Sequence, residues 1–236
     1  MAFSHWLKIK IHHHFKLQCP SCGLNIEEST PKTRWCDACL EDLREKNRCL
    51  QCGLPTLNTV EQCGQCLSVP PPWRRLYCVG DYQPPLSNYI HSFKHQHQFW
   101  LSGDLTYLLT EQISQPAEII TSVPLHWRRQ LWRGYNQSDY LAKSLCQHLG
   151  VTERFDNQIF RRIKPTRAQQ GLDRKARLLN LKNAFTLDSS RVAKHMAIVD
   201  DVVTTGSTIR QLCQLLLDVG VERVDIYCVC RTPDPT

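Results

Sequence analysis

From Leu76 onward the apolar residues fall first in short continuous runs and then at helical spacing, and the two patterns alternate to the end of the chain. Leu76–Tyr82 predicts a strand, Leu86–Leu109 a largely helical stretch, Glu118–Val123 a second strand, and Gln137–Leu149 a helix stopped at Gly150. Phe155–Arg161 is a further strand candidate. After a polar segment to Asn180 come Ala184–Leu187, the run His195–Asp201, a helix over Ser207–Val219 and a last strand Arg223–Cys230. Strands separated by helices in this order imply an α/β fold with a parallel, doubly wound sheet, in which ligands are expected at the C-terminal ends of strands.

The first 70 or so residues follow neither period, and cysteine supplies the order there. Cys19-x-x-Cys22, Cys36-x-x-Cys39, Cys49-x-x-Cys52 and Cys63-x-x-Cys66 leave 13 residues between the first two pairs and 10 between the last two. Four thiolates from two such turns make a tetrahedral zinc site with bonds of about 2.3 Å, and the spacing is that of a zinc ribbon. Pro20, Gly23, Gly53 and Gly64 stand in or beside the knuckles, where a tight turn aims backbone amides at sulfur. Two four-cysteine ribbons holding about two zinc ions are expected. The simplest pairing joins first pair to second and third to fourth, with interleaving left open by spacing. A disulfide framework competes with this reading but needs an oxidising compartment, and residues 1–18 have no apolar core of signal-peptide length. Four pairs are too many for one redox centre. Cys78, Cys146, Cys213, Cys228 and Cys230 lie in apolar or helical contexts and read as buried, reduced thiols.

Val69-Pro70-Pro71-Pro72-Trp73 is a stiff break directly after the last knuckle. The expected division is a small double ribbon over 1–70, a Pro-rich linker over 71–75 and an α/β domain over 76–236. A chain of 236 residues with 42% hydrophobic content can build one proper α/β core, while the ribbon module leans on metal for stability. No window approaches the roughly 18 consecutive apolar residues of a membrane span, so a soluble, cytoplasmic protein is expected.

The strongest local signal is Ile198 to Thr208, reading IVDDVVTTGST. An apolar strand ends in Asp200 and Asp201, and a run of small hydroxyl and glycine residues then opens an amphipathic helix. The first amides of that helix have no intrahelical acceptors, so the backbone from Thr204 to Thr208 can surround a phosphate, with Thr204, Thr205, Ser207 and Thr208 adding hydroxyl donors. Gly206 admits close approach and a positive φ. The aspartates repel a phosphate; they suit the vicinal hydroxyls of a sugar, or a divalent cation bridging to the ligand. A phosphorylated sugar fits both halves.

This stretch resembles the fingerprint of type I phosphoribosyltransferases, with Ile198-Val199, Asp200-Asp201, Val202-Val203-Thr204-Thr205 and Gly206-Ser207-Thr208 in the matching places. Two further segments narrow the likeness. Arg133-Gly134-Tyr135-Asn136-Gln137 follows Val123-Pro124-Leu125, and the segment from Pro165 to Leu172, reading PTRAQQGL, precedes Arg174, Arg177, Asn180, Ala184 and Phe185. With the N-terminal cysteines, these resemble the ComF/GntX family of competence proteins, and the likeness runs from Cys19 to Arg231. The resemblance implies a parallel-sheet phosphoribosyltransferase-like domain behind a double zinc ribbon. It also implies phosphoribosyl pyrophosphate with Mg(2+) as ligand, and a cytoplasmic role with incoming single-stranded DNA, with a competence helicase or other DNA-processing protein as partner.

Charge adds to this. Between Thr121 and Asn180 there are 12 Lys and Arg against 4 Asp and Glu, a surplus larger than the formal +7 of the whole chain. Arg128, Arg129, Arg133, Arg161, Lys164 and Arg167 can neutralise a pyrophosphate leaving group, or follow a nucleic-acid backbone by counterion release. Trp127, Trp132 and Tyr135 interleave with them, as base stacking requires. Two functional classes therefore stand. As an enzyme, Asp200 and Asp201 position the ribose, the Val123 to Arg133 turn holds magnesium pyrophosphate, and Lys164 to Gln170 closes over an oxocarbenium-like transition state, transferring to an acceptor that the sequence does not identify. As a binding module, the same pocket senses a nucleotide-like ligand while ribbons and basic loops grip DNA or a partner protein.

Overall fold

The computed structural model describes residues 18–19, 21–26, 34–43, 47–125, 134–163 and 184–233. The chain forms two compact units, residues 1–45 and 46–236. In the smaller unit the Cys19 amide donates to the Leu24 carbonyl at 2.7 Å and the Gly23 amide to the Cys19 carbonyl at 2.8 Å, closing a tight knuckle. Helix α1 (Asp37–Leu43) starts beside the second cysteine pair and buries Leu40.

The larger unit carries short helix α2 (Gly64–Ser68), then β1 (Arg75–Asp81), α3 (Leu86–His95), α4 (Leu101–Thr110), β2 (Ile119–Ser122) and α5 (Gln137–Leu149). The hairpin strands β3 (Phe160–Arg162) and β4 (Phe185–Leu187) follow, then β5 (His195–Val203), α6 (Ser207–Asp218) and β6 (Arg223–Arg231). The main sheet has four strands in the order β1-β6-β5-β2, all parallel. Helices covering both faces account for the continuous apolar character of its strands: Met196 to Val199 on β5 and Val224 to Cys230 on β6 are all buried. From α6 the residues Ile209, Leu212, Cys213 and Leu216, at helical spacing, pack into the core with Ile198 and Ile226. Each such side chain contributes about 1.5–3 kcal/mol relative to exposure.

Several expectations change. The stretch Leu86–Leu109 is two helices, broken around His97, which takes a φ of +55°. The Phe155–Arg161 candidate shortens to Phe160–Arg162 and leaves the main sheet, pairing antiparallel with Phe185–Leu187. Strand β5 continues through Val203, so the aspartate pair lies within it rather than at its last residues.

Residues 46–75, with the third and fourth cysteine pairs, belong to the larger compact unit. The physical reason is contact between the third and fourth cysteine pairs and the sheet. The Leu76 amide of edge strand β1 donates to the Leu50 carbonyl at 3.0 Å. The Trp73 indole donates to the Gln51 carbonyl at 2.6 Å, and Arg48 pairs with Asp81 at 2.8 Å. Gly53 (φ +73°) lies so close to β1 that a Cβ there would meet Leu76 Cδ2 at 2.5 Å. The knuckle thus covers the sheet edge that β1 would otherwise present. Among the described residues no helix is long and apolar enough to cross a membrane.

Candidate functional site

Parallel pairing places Val199 of β5 beside Ser122, the last residue of β2, so the chain leaving β2 at Val123-Pro124-Leu125 starts next to the aspartate pair. The start of α5 closes the gap. Asn136 caps that helix, accepting from the Ser138 amide at 3.3 Å while its amide nitrogen donates to the Val123 carbonyl at 3.1 Å and to Asp139 at 2.9 Å. Ser122 donates a short hydrogen bond to the same Asp139 carboxylate. Strand end and helix start are thereby tied together, and the Ser138 hydroxyl reaches Asp200 Oδ1 at 3.1 Å.

Asp200 is half-buried and Asp201 buried. The Asp201 amide donates to Asp200 Oδ1 at 2.9 Å, and Lys94, in the last turn of α3, pairs with Asp201 Oδ1 at 2.9 Å. Burial first and the neighbouring Asp201 charge second push the Asp200 carboxyl up to about 7, against the pull of Lys94, the Asp201 amide and Ser138. For Lys94, burial works against the charge, but the attraction of Asp201 outweighs it and holds the ammonium above its usual range. Among the described residues the site is therefore an acidic pair with Lys94 as its counter-ion.

Beyond the pair, Val202 and Val203 finish β5, and Thr204, exposed, and Thr205, half-buried, lead to Gly206, buried with φ +70°. Ser207 and Thr208 open α6. A Cβ on Gly206 would sit 3.0 Å from the Trp73 ring, so a side chain there would press on the ring as well as strain the left-handed backbone. Arg231, at the end of β6 and 7% exposed, donates from Nη1 to the carbonyls of Val203 at 3.1 Å and Thr232 at 2.6 Å and, over a shorter contact, to that of Thr204. From Nε it reaches the Cys52 carbonyl at 3.0 Å.

Of the basic residues singled out from sequence, Arg161 is exposed on β3 and faces a cavity of about 500 Å³ shared with Pro124, Leu125, Asn136, Asp139 and Arg162. Arg128, Arg129, Arg133, Lys164 and Arg167 lie outside the described residues, as does the segment from Pro165 to Asn180. Lys94, Trp73 and Arg231 were missed by sequence reasoning. A lysine in a helix's last turn is ordinary, and neither the tryptophan nor the arginine sits in a motif; only the tertiary contacts single them out. Asn136 and Ser138 did carry a signal, in and beside the RGYNQ run.

The cysteines gather as two groups, Cys19, Cys22, Cys36 and Cys39, and Cys49, Cys52, Cys63 and Cys66, with the sulfurs of each within 4.8 Å of one another. This is the simple pairing, first with second and third with fourth. Sulfur separations are 3.6 Å for Cys22 and Cys36, 3.7 Å for Cys52 and Cys63, and 3.9 Å for Cys49 and Cys66. A tetrahedron with zinc–sulfur bonds of about 2.3 Å has edges of about 3.8 Å, so both groups fit zinc. The Cys63 amide points at Cys49 Sγ at 3.2 Å, as a donor to a thiolate does. Cys78, Cys146, Cys213, Cys228 and Cys230 are free and buried; burial pushes the Cys146 thiol up to about 12.

The family model for the phosphoribosyl transferase domain matches residues 137–236, from the start of α5 to the end of the chain. The chain is 42% identical over 207 residues to DNA utilization protein YhgH of Salmonella typhimurium, an alignment covering 84% of this chain and 90% of that protein. It is 37% identical over 229 residues to Competence protein F of Haemophilus influenzae, covering 92% and 98%. A solved adenine phosphoribosyltransferase from Thermoanaerobacter pseudethanolicus overlaps 59% of this chain and 83% of that one, at 16% identity and a TM-score of 0.35. With a parallel sheet, the aspartate pair in β5 and two four-cysteine groups ahead of it, the chain belongs to the ComF-type family of DNA utilization and competence proteins, built on a phosphoribosyl transferase domain.

Proposed function

We propose that this protein binds phosphoribosyl pyrophosphate, or a ribose 5-phosphate ligand like it, at Asp200 to Thr208, and uses that domain in handling incoming single-stranded DNA in the cytoplasm. The observation that carries the ligand reading is the juxtaposition, within one strand-to-helix turn, of the carboxylate pair and a loop with a left-handed Gly206 opening α6. Ribose 2- and 3-hydroxyls donate to Asp200 and Asp201, and the 5-phosphate accepts from the amides and hydroxyls of Thr204 to Thr208. Gln137, at the first position of α5, is 3% exposed and its Nε2 has no acceptor among the described residues. Mg(2+), a hard cation preferring oxygen, suits the carboxylates of the pair and would carry the charge of a pyrophosphate; Lys94 already shows that the pair takes a positive partner. Two zinc ions per chain, one in each four-cysteine group, complete the cofactors.

The DNA reading rests on the relatives named for DNA utilization and competence and on the charge surplus between Thr121 and Asn180. A second reading, phosphoribosyl transfer to an unidentified acceptor, is favoured by the intact acidic pair. Calorimetry with phosphoribosyl pyrophosphate and Mg(2+) tests the ligand, and product analysis over a panel of bases and amines then separates transferase from binding module. Wild-type affinity in a protein carrying both Asp200→Asn and Asp201→Asn would send the ligand elsewhere. If binding is present, each lost charged hydrogen bond should cost about 1.5–3 kcal/mol.

A further inference from the structure

The second four-cysteine group and the phosphate loop sit on either side of a cavity of about 420 Å³, lined by Cys52, Gln65, Trp73, Thr205, Gly206 and Arg231 among others. Discrete side chains cross between them. Arg231 spends its guanidinium on four backbone carbonyls: one, Cys52, belongs to the knuckle, and two, Val203 and Thr204, belong to the run that ends β5 and begins the phosphate loop. No carboxylate pairs with Arg231 among the described residues, so its position is set by these carbonyls. Trp73 makes the second crossing. Its indole N–H is fixed on the Gln51 carbonyl in the knuckle, its ring edge lies against Gly206, and Arg210 of α6 stacks over the ring at 5.3 Å.

Resting on the phosphosugar reading above, we infer that metal in the second four-cysteine group sets the geometry of the phosphate loop through Arg231 and Trp73, making Arg231 a positioning residue for the ligand and the ligand a stabiliser of that metal. The knuckle turns carrying Gln51 and Cys52 are shaped by the ligation of Cys49 and Cys52. If those turns relax, the carbonyl that orients Arg231 and the carbonyl that orients Trp73 both move. The loop then loses the fork that holds its entry and the surface that supports Gly206. Linkage makes the effect reciprocal: whatever factor the metal adds to ligand affinity, the ligand adds to metal affinity. Every residue of this path lies in the larger compact unit, 46–236.

The test is an equilibrium competition titration of the full chain's zinc against a chromogenic chelator, with and without saturating ribose 5-phosphate and without added magnesium. Calorimetry on the zinc-loaded protein establishes sugar-phosphate binding first. The expected result is that one of the two zinc ions is held at least about five-fold more tightly in the presence of ribose 5-phosphate and the other is unchanged. Arg231→Lys keeps the charge but loses the fork, so it should retain two zinc ions yet bind ribose 5-phosphate at least about five-fold more weakly and lose the linkage. A purely electrostatic Arg231 would leave the lysine variant at wild-type affinity, and that result overturns the positioning role. Ribose 5-phosphate that binds but leaves both zinc affinities unmoved overturns the coupling, and the wild-type measurement decides this even if the variant fails to fold. Absence of any ribose 5-phosphate binding to the zinc-loaded protein is a different failure: it sinks the phosphosugar reading, and the inference with it.

Discussion

At the residue scale, Asp200, half-buried, and Asp225, fully buried, sit among different partners. Asp200 is strained by its surroundings: its carboxyl is raised to about 7, above the ordinary carboxylate range. A raised carboxyl stabilises the fold most below the unfolded value, near pH 4, and loses that contribution as pH climbs to about 7. Asp200→Asn should therefore stabilise the ligand-free protein at pH 8, by about 1–3 kcal/mol, while weakening ribose 5-phosphate binding; parallel thermal melts and calorimetry check both signs. Wild-type affinity should rise with pH from 6 to 8, since the ionised carboxylate is the acceptor for sugar hydroxyls, and a flat profile would remove Asp200 from the ligand. Asp225 is held by two basic partners instead. Fully buried at the N-terminal half of β6, it takes His195 Nε2 and Arg223 Nη2, each at 2.8 Å. Asp225→Ala should cost about 2–3 kcal/mol in urea unfolding, short of the full penalty for a broken buried pair because the Arg223 side chain is 38% exposed and rehydrates.

At the element scale the loop Thr204–Gly206, the proposed phosphate cradle, is built by neighbours more than by itself. Gly206→Ala would place a methyl against the Trp73 ring at a φ of +70°, and should lower stability by about 1–2 kcal/mol with a larger relative loss of ribose 5-phosphate affinity, read by thermal melts and calorimetry. Helix α5 was legible from its helical period and the stop at Gly150, while its cap, Asn136, came from the structure. The hairpin strand was less so. Phe155–Arg161 carries apolar residues at Phe155, Ile159 and Phe160, and local pattern does not say which sheet a short run joins. Pairing with Phe185–Leu187, more than 20 residues later, decided that β3 leaves the main sheet.

At the scale of the molecule, metal has a wider reach than a separate ribbon module would give it. With the third and fourth cysteine pairs seated on β1 and Arg231, removing zinc should lower the melting temperature of the 46–236 unit as well as unfold residues around Cys19 to Cys39, measured by calorimetry and limited proteolysis. An unchanged α/β transition after chelation would return the second four-cysteine group to an independent module. Native mass spectrometry should find about two zinc ions per chain. For DNA, affinity for a single strand should fall with salt at a log–log slope of about 0.7 per neutralised phosphate. Replacing Arg128, Arg129 and Arg133 by Ala should flatten it, and a wild-type slope in that variant would assign those arginines to the pyrophosphate side.

Sequence alone determined what is local and chemically explicit: the four CxxC turns, the DDVVTTGST run and the alternation that makes a parallel sheet. Each is written in contiguous residues because metal ligation, phosphate cradling and strand or helix period all act over a few positions. Tertiary structure decided what depends on distant residues meeting: that Lys94 neutralises Asp201, that Asn136 and Asp139 lock β2 to α5, and that Arg231, 179 positions from Cys52, ties a cysteine knuckle to the loop after β5. Those partners carry no local signature, since a lysine, an arginine or a tryptophan acquires its role only when burial removes water and leaves a particular carboxylate or carbonyl within reach.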